Sequence, residues 1–426
     1  MPRIVVIGGG WAGCAAAMSA NKAGADVILV EKSDCLLGTG LVGGIMRNNG
    51  RFTAAEEMIA MGGGDLFRLA DQVARHTNME FPGHKHATLY DVALMEPTVR
   101  RYLLEQGVKL WMMARARDVE RKDDHLEAVV LDSGERLEGD AFVETTGTAG
   151  PQGNCRKYGN GCAMCVLRCP SWGGRVSIAA KAGVKEMVGR RPDGSIGAMS
   201  GSCKLHKDSV DRAIVDELNR TGVAVVPVPK ELVHEEKLVA KACQQYALLA
   251  FAENLVLLDT GHVKLMTSFY PLDELRRIPG MENARYEDPY AGGKGNSVRY
   301  LALSPRDNYL RVEGLDNLFC AGEKAGLLVG HTEAICTGTL AGHNGVRQVL
   351  GRELVTIPRT TAVGDAIAYV REQMQTEEGM SRKYTFSGSI YFERMKELRS
   401  YTTDVAAIQQ RVDEAGFKGF FGREIR

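Results

Sequence analysis

The opening of the chain, from Arg3 to Glu31, constrains its fold more than any other stretch. Ile4 to Ile7 form a short apolar run, as a strand covered on both faces requires. Gly8-x-Gly10-x-x-Gly13 follows at once, small residues from Ala12 to Ala23 predict a helix, and Val27 to Val30 predict a second strand ending at Glu31. Each part serves a dinucleotide. Glycines let the backbone approach a pyrophosphate, the helix N-terminus faces its negative charge, and the acid ending the second strand accepts from the adenosine ribose. A glycine triplet alone would read as a tight turn. Strand, helix and acid in this order read as a nucleotide site.

With 426 residues the chain has room for two or three domains. Its 53 basic and 53 acidic residues give no overall field toward nucleic acid or anionic lipid, although a local basic patch stays open. "MPRIVVIGGG" enters a strand with no charged leader, and no run approaches the ~18 apolar residues of a spanning helix. A cytoplasmic protein without membrane contact is expected. There the ten cysteines should be thiols, metal ligands or redox groups, not structural disulfides.

Further along, helices are predicted over Thr53–Met61 and Met95–Gln106. A strand meander with turns at Asp123-Asp124 and Ser133-Gly134 should return to the sheet at Ala141–Thr145. A helix over Ser209–Arg220, a strand over Val223–Val226 and a helix over Glu235–Glu253 follow, and residues 360–426 read as helical. "AFVETTGTAG", with Gly147, resembles the second glycine motif of flavoproteins. "NLFCAGE" resembles their closing motif, in which Gly322 and Glu323 approach the ribityl chain and its phosphate. No second Gly-x-Gly-x-x-Gly has a strand before it, so FAD is expected and a separate NAD(P)H domain is not. The expected fold class is α/β: a discontinuous Rossmann-like FAD-binding domain (1–155 and 300–350), an inserted α+β domain (156–299) and a helical C-terminal appendage (351–426).

Three stretches carry a family resemblance: "GGIMRNNGRFTAAEEMIAMGGGDLF", "RRIPGMENARY" and "LFCAGEKAGLLVGHTEAICTGTLAGHNGVR". Together they make the chain similar to the GidA/TrmFO family of FAD proteins, which have the glutathione-reductase-type FAD fold and use folate, FAD and reduced nicotinamide to modify tRNA. The resemblance implies the fold and the FAD site. It does not extend to the reaction, because family members that alkylate RNA carry a cysteine near the position of "GTGLVGGI" and this stretch has none. Cys35 is close but out of register.

Cys155-x6-Cys162-x2-Cys165-x3-Cys169-Pro170 is not part of the family pattern. Its end matches the C-x2-C-x3-C-P ending of ferredoxin-type runs, so a [4Fe-4S] cluster is expected. Structural zinc and a redox thiol pair remain alternatives. Cys203, in "MSGSCKLHK", is expected in a polar loop as a spare thiol. "FPGHKHATLYD" should place His84, Lys85 and His86 on a loop, where they would bind an anionic group or act as general acid. His331 is expected beside the isoalloxazine, and Arg47 and Asn48 in the same pocket. The preferred reading is an FAD-dependent oxidoreductase that couples two-electron flavin chemistry to one-electron transfer through the cluster. Its partners would be a small-molecule substrate and a ferredoxin or flavoprotein, and a homo-oligomer is allowed. The alternative is a folate- and FAD-dependent tRNA-modifying enzyme.

Overall fold

A computed structural model provides the structure. It describes residues 1–148, 169–191, 193–196, 198–200, 203–240, 244–267, 270–287, 297–299 and 301–425. The elements that position the site are β1 (Arg3–Ile7), α1 (Trp11–Lys22), β2 (Asp26–Val30), α2 (Gly50–Ala60), β3 (Ala74–Phe81), β4 (His84–Tyr90), α3 (Val92–Glu105), β5 (Lys109–Trp111), β6 (Ala141–Glu144), β7 (Leu318–Cys320) and α4 (His331–Val349).

Five of these strands form one parallel sheet in the order β7-β6-β1-β2-β5. Ile4 pairs with both Val27 and Ala141, and Phe142 pairs with Leu318. Strands 318–320 and 141–144 therefore lie beside the first βαβ unit, although the chain reaches them late. The α/β class with a Rossmann-like core is as expected. An antiparallel three-stranded sheet (Ala116–Lys122, His125–Leu131, Arg136–Glu138) supplies the predicted meander.

α1 and α4 pack backbone to backbone. A β-carbon on Gly338 would stand 2.2 Å from the Ala12 carbonyl oxygen, and one on Gly342 would stand 2.2 Å from that of Ala16. Ser19 Oγ donates to the Thr339 carbonyl at 2.7 Å. Small residues on both helices are what this contact requires.

A second core gathers around a four-stranded antiparallel sheet of Cys203–Leu205, Val263–Leu265, Asn254–Asp259 and Val223–Pro227, with Ile45, Phe81, Ala87 and Leu89 joining it. The helix expected over 235–253 is instead two 3-10 turns (Glu235–Ala240, Gln244–Tyr246) and a short helix, Ala250–Glu253. The expected loop around His84–His86 is also different: both histidines belong to β4, which forms a hairpin with β3. Gly83, at φ +74°, makes the turn, and the threonine and aromatic residues after it favour a strand. Cys203 is buried in a strand rather than set in a polar loop.

The C-terminal residues are helical and belong to the core of the main sheet, to which Tyr384, Phe386, Tyr391, Met395, Val412 and Phe421 contribute. Buried charges fasten them. Arg306 is fully buried and donates to the carbonyls of Ala325 (2.8 Å) and Ile367 (2.9 Å). Glu57 accepts from the N–H groups of Ala362 (2.9 Å) and Val363 (3.0 Å), capping helix Ala362–Gln373, and pairs with Arg411 at 3.1 Å. No helix among the described residues is long and apolar enough to cross a membrane.

Candidate dinucleotide site

A cleft opens at the C-terminal ends of β1, β2, β6 and β7, the place where open parallel sheets take their ligands. It holds about 1370 Å³ of empty space with its mouth included. Gly8, Gly10, Glu31, Gly147, Gly322, Glu323 and His331 all line it. Residues from three widely separated parts of the sequence thus converge on one site.

The glycine turn is locked before any ligand arrives. Gly8 has φ +106°, and a β-carbon there would meet the Thr145 carbonyl oxygen at 2.5 Å. Thr145 Oγ1 donates to the Gly8 carbonyl at 2.5 Å and to that of Ile7 at 3.0 Å. A β-carbon on Gly13 would lie 1.8 Å from the Gly8 carbonyl oxygen, so this third glycine serves the turn–helix packing and does not line the cleft. Gly10 differs. Among the described residues its missing β-carbon would meet nothing within 4 Å, and the same holds at Gly147, where φ is +70°. Both leave backbone open toward the cleft.

α1 begins directly after Gly10 with no side-chain cap, so its first N–H groups are left for an anion. Glu31 is buried and accepts from the N–H of Gly9 (2.7 Å) and from the N–H and hydroxyl of Ser33 (2.8 Å each). It therefore shapes the glycine turn as well as offering its remaining lone pairs to a ribose. Thr148 Oγ1 donates to Glu323 at 2.7 Å, and the Gly322 N–H donates to Thr337 Oγ1 at 2.9 Å. These residues fit a dinucleotide: two open glycines, an uncapped helix N-terminus and two acids on the cleft wall.

His331 is the first residue of α4, and its ring lies 5.3 Å from that of Trp11. Behind it, Arg51 pairs with Glu333 at 3.2 Å and donates to Thr385 Oγ1 at 3.0 Å. His84 lies elsewhere. It is buried between Phe81 and Tyr246, 4.6 Å from each ring, and its Nδ1 accepts from the Asn48 amide at 2.8 Å. Burial first, and the charge of Arg51 second, lower its pKa to about 3, so the ring is neutral at physiological pH. His86 has φ +61° and shares a hydrogen bond with Asn78 Oδ1 at 3.0 Å. Arg47 pairs with Glu56 and with Asp71. None of these four residues (Arg47, Asn48, His84, His86) lines the cleft.

The structure adds a buried charge network that sequence reasoning missed. Lys324, fully buried, donates to Ser177 Oγ at 2.8 Å and pairs with Glu186, and it lies 3.5 Å from Glu144. Arg175, which lines the cleft, pairs with Glu186 at 2.8 Å. Burial pushes the Glu186 carboxyl up, but the two cations outweigh it and hold it at about 2. Lysine directly after the closing Gly-Glu pair, inside the apolar run "FCAGEKAGLLV", is the signal that was available.

Of the expected cluster ligands, Cys155, Cys162 and Cys165 lie outside the described residues. Cys169 is half-buried as the first residue of a short helix, Cys169–Trp172. Among the described residues no group of three or more His, Cys, Asp or Glu could hold a metal ion. Cys14, Cys320 and Cys336 are buried, consistent with packing roles.

The family described as "Glucose inhibited division protein A" matches residues 3–246 and 230–353, which is most of the chain. The chain belongs to the GidA family. Its fold matches that of Aquifex aeolicus GidA in the form II crystal with a TM-score of 0.64 at 17% identity, over 99% of this chain and 73% of that one. The form I crystal gives 0.59 at 15% identity, over 97% and 78%. Curated relatives match over shorter stretches. The "Methylenetetrahydrofolate--tRNA-(uracil-5-)-methyltransferase TrmFO" of Caldicellulosiruptor bescii is 34% identical over 112 residues, 26% of this chain and 24% of the relative. That of Lactobacillus acidophilus is 38% identical over 95 residues, 22% and 20%. The chain thus aligns with about a quarter or less of these relatives' length.

Proposed function

We propose that this GidA-family chain binds FAD along the cleft and is an FAD-dependent enzyme of the tRNA-modifying kind, with folate supplying a one-carbon unit by a route that uses no cysteine in residues 38–45. The observation that carries the reading is convergence. Glu31 and the glycine turn line the same cleft as Glu323 and His331, in a chain that matches the family from residue 3 to residue 353. In this reading Gly8, Gly10 and Glu31 hold the adenosine half, with Gly13 setting the turn behind them, and Gly147, Gly322 and Glu323 hold the ribityl half. His331 stands at the flavin end. Bound FAD would supply hydride transfer, and the protein supplies placement and electrostatics.

The test starts from the purified protein's visible spectrum, which should show flavin bands. Binding to tRNA should weaken steeply as salt rises, and label from methylenetetrahydrofolate should appear in the RNA. Flavin bands with neither tRNA binding at low salt nor label transfer would remove the RNA reading and leave the FAD reading standing.

The spacing of Cys155, Cys162, Cys165 and Cys169 favours a second reading, in which a [4Fe-4S] cluster passes single electrons between flavin and an external partner. Iron and sulfide counted after oxygen-free purification decide it: about four of each per chain supports the cluster, and none removes it.

A further inference from the structure

Basic and acidic residues balance at 53 each over the whole chain, so a cluster of cations is a local feature and not a reflection of net charge. One such cluster forms where two distant segments meet. The N–H of Arg190 donates to the Met380 carbonyl at 3.0 Å, and Lys383 Nζ donates back to the Arg190 carbonyl at 3.3 Å. Arg190, Arg191, Arg382 and Lys383 thus come together, although Arg190 and Lys383 are 193 residues apart in sequence.

The acids of these segments are engaged elsewhere. Glu378 pairs with Arg382 at 3.2 Å, and Asp193 accepts from the N–H and hydroxyl of Ser195 at 2.9 and 2.6 Å. Arg190 is exposed, and its guanidinium donates to the Gly194 carbonyl at 3.1 Å. The Lys383 ammonium donates to carbonyls, those of Arg190 and Arg382. Among the described residues neither cation has a carboxylate partner. Burial first, and the charge of Arg191 second, lower the Lys383 pKa to about 8. A bound anion would relieve that repulsion.

The cluster is tied to the cleft wall along two paths. The Thr148 carbonyl accepts from the Leu301 N–H at 3.0 Å, and the Leu301 carbonyl accepts from the Gly189 N–H at 2.9 Å. Thr148 lines the cleft, so two backbone steps, about 10 Å, lead from it to the residue before Arg190. On the other segment Tyr384, directly after Lys383, bonds Leu327 and Val329, which lead into His331. These side chains are exposed or half-buried and come from two segments, so they form a surface and not a closed pocket. Such a surface suits the repeated phosphates of a polynucleotide, which ammonium and guanidinium groups meet without reading bases.

We infer that Arg190, Arg191 and Lys383, with Arg382 at their edge, dock the phosphate backbone of RNA beside the cleft. The inference rests on the RNA reading above and deepens it by naming the surface on which the RNA lies.

Titration of the protein with an unmodified tRNA transcript over a range of salt concentrations tests it. Arg190→Gln and Lys383→Gln should each weaken binding about threefold to tenfold near 0.1 M salt, and each should make the slope of log K against log salt shallower by about 1. A second transcript of unrelated sequence should lose affinity equally, because phosphate contacts carry no sequence information. Arg212→Gln removes the same charge from a side chain that is 87% exposed on the helix Arg212–Thr221, and should change neither affinity nor slope. Arg190 is exposed, so its variants test the surface even where Lys383→Gln fails to fold, and Arg190→Glu should weaken binding further. Native affinity and slope in both Arg190 variants would overturn the inference, as would an equal loss in Arg212→Gln. A native protein that binds no tRNA at low salt would overturn the RNA reading itself, and the inference with it.

Discussion

Arg51 and Glu333 form a salt bridge at 3.2 Å in which their side chains are 7% and 0% exposed. One lies in α2 and the other in the first turn of α4, two residues after His331. Glu333 also accepts from the hydroxyl of Thr385 at 2.6 Å and the N–H of Phe386 at 2.8 Å. The first turn of α4, which carries His331, is thus tied to α2 and to residues 385–386 by a buried carboxylate.

Breaking this pair from one side leaves a buried carboxylate with its countercharge removed. Arg51→Met is expected to destabilise the fold by about 3 kcal/mol, within the range for buried pairs. Urea unfolding of the two proteins measures it. An unchanged midpoint would show that Glu333 finds full compensation from Thr385 and Phe386.

Gly338→Ala places a methyl group against the Ala12 carbonyl, which is backbone and cannot rotate away. α1 and α4 must then separate, at an overpacking cost of about 1–3 kcal/mol. Because α1 begins at the cleft, FAD affinity should fall along with stability. Titration of the ligand-free protein with FAD, beside thermal melts, checks both.

Glu31 bonds the Gly9 N–H as a charged acceptor. Glu31→Gln keeps the shape and removes the charge, so ribose and turn bonds should both weaken. FAD affinity is expected to fall roughly tenfold, about 1.4 kcal/mol. An affinity equal to the native value would assign the acid to turn geometry alone.

Two buried imidazoles make stability depend on acid. His84 and His343 both have pKa values lowered to about 3, His84 by burial and Arg51, His343 by burial and Arg347. In the unfolded chain they titrate near 6.5. Between those values the unfolded state binds protons that the native state does not, so stability falls as pH falls from about 6.5 toward 3. Each histidine contributes a slope of about 1.4 kcal/mol per pH unit there. His343→Leu removes one share, and denaturant unfolding at pH 7.5, 6 and 5 would show a shallower acid loss. At pH 7.5 the variant should also be more stable by about 1 kcal/mol, since neither ring nitrogen of His343 has a partner among the described residues.

Local chemistry made the first βαβ unit readable. Gly8, Gly13 and Glu31 act within thirty residues of one another, and each has a stereochemical demand that only its own residue type meets. Strand 141–144 was readable from the meander that leads into it and the Thr-Thr-Gly that ends it, and strand 318–320 from the motif "NLFCAGE" that contains it. His84 was not: Phe81 is local, but Tyr246 and the Asn48 amide come from distant chain, and "PGHKH" alone carries turn residues and charges. Lys324 stands out only as a lysine inside an apolar run, and Arg175 not at all, because burial of a cation is decided by partners, here Glu144 and Glu186, that no spacing announces. The 3-10 turns Glu235–Ala240 and Gln244–Tyr246 replaced an expected helix in a segment whose apolar residues pack against a sheet built from strands far along the chain.

Arg306, Glu57, Arg51 and Glu333 each meet part of their hydrogen-bonding need from beyond residue 360. A fragment ending near residue 350 would keep every residue of the nucleotide motif and still strip partners from four desolvated charges. The last helices are therefore a structural condition of the cleft itself, and trimming them would be felt first as collapse of the wall around His331.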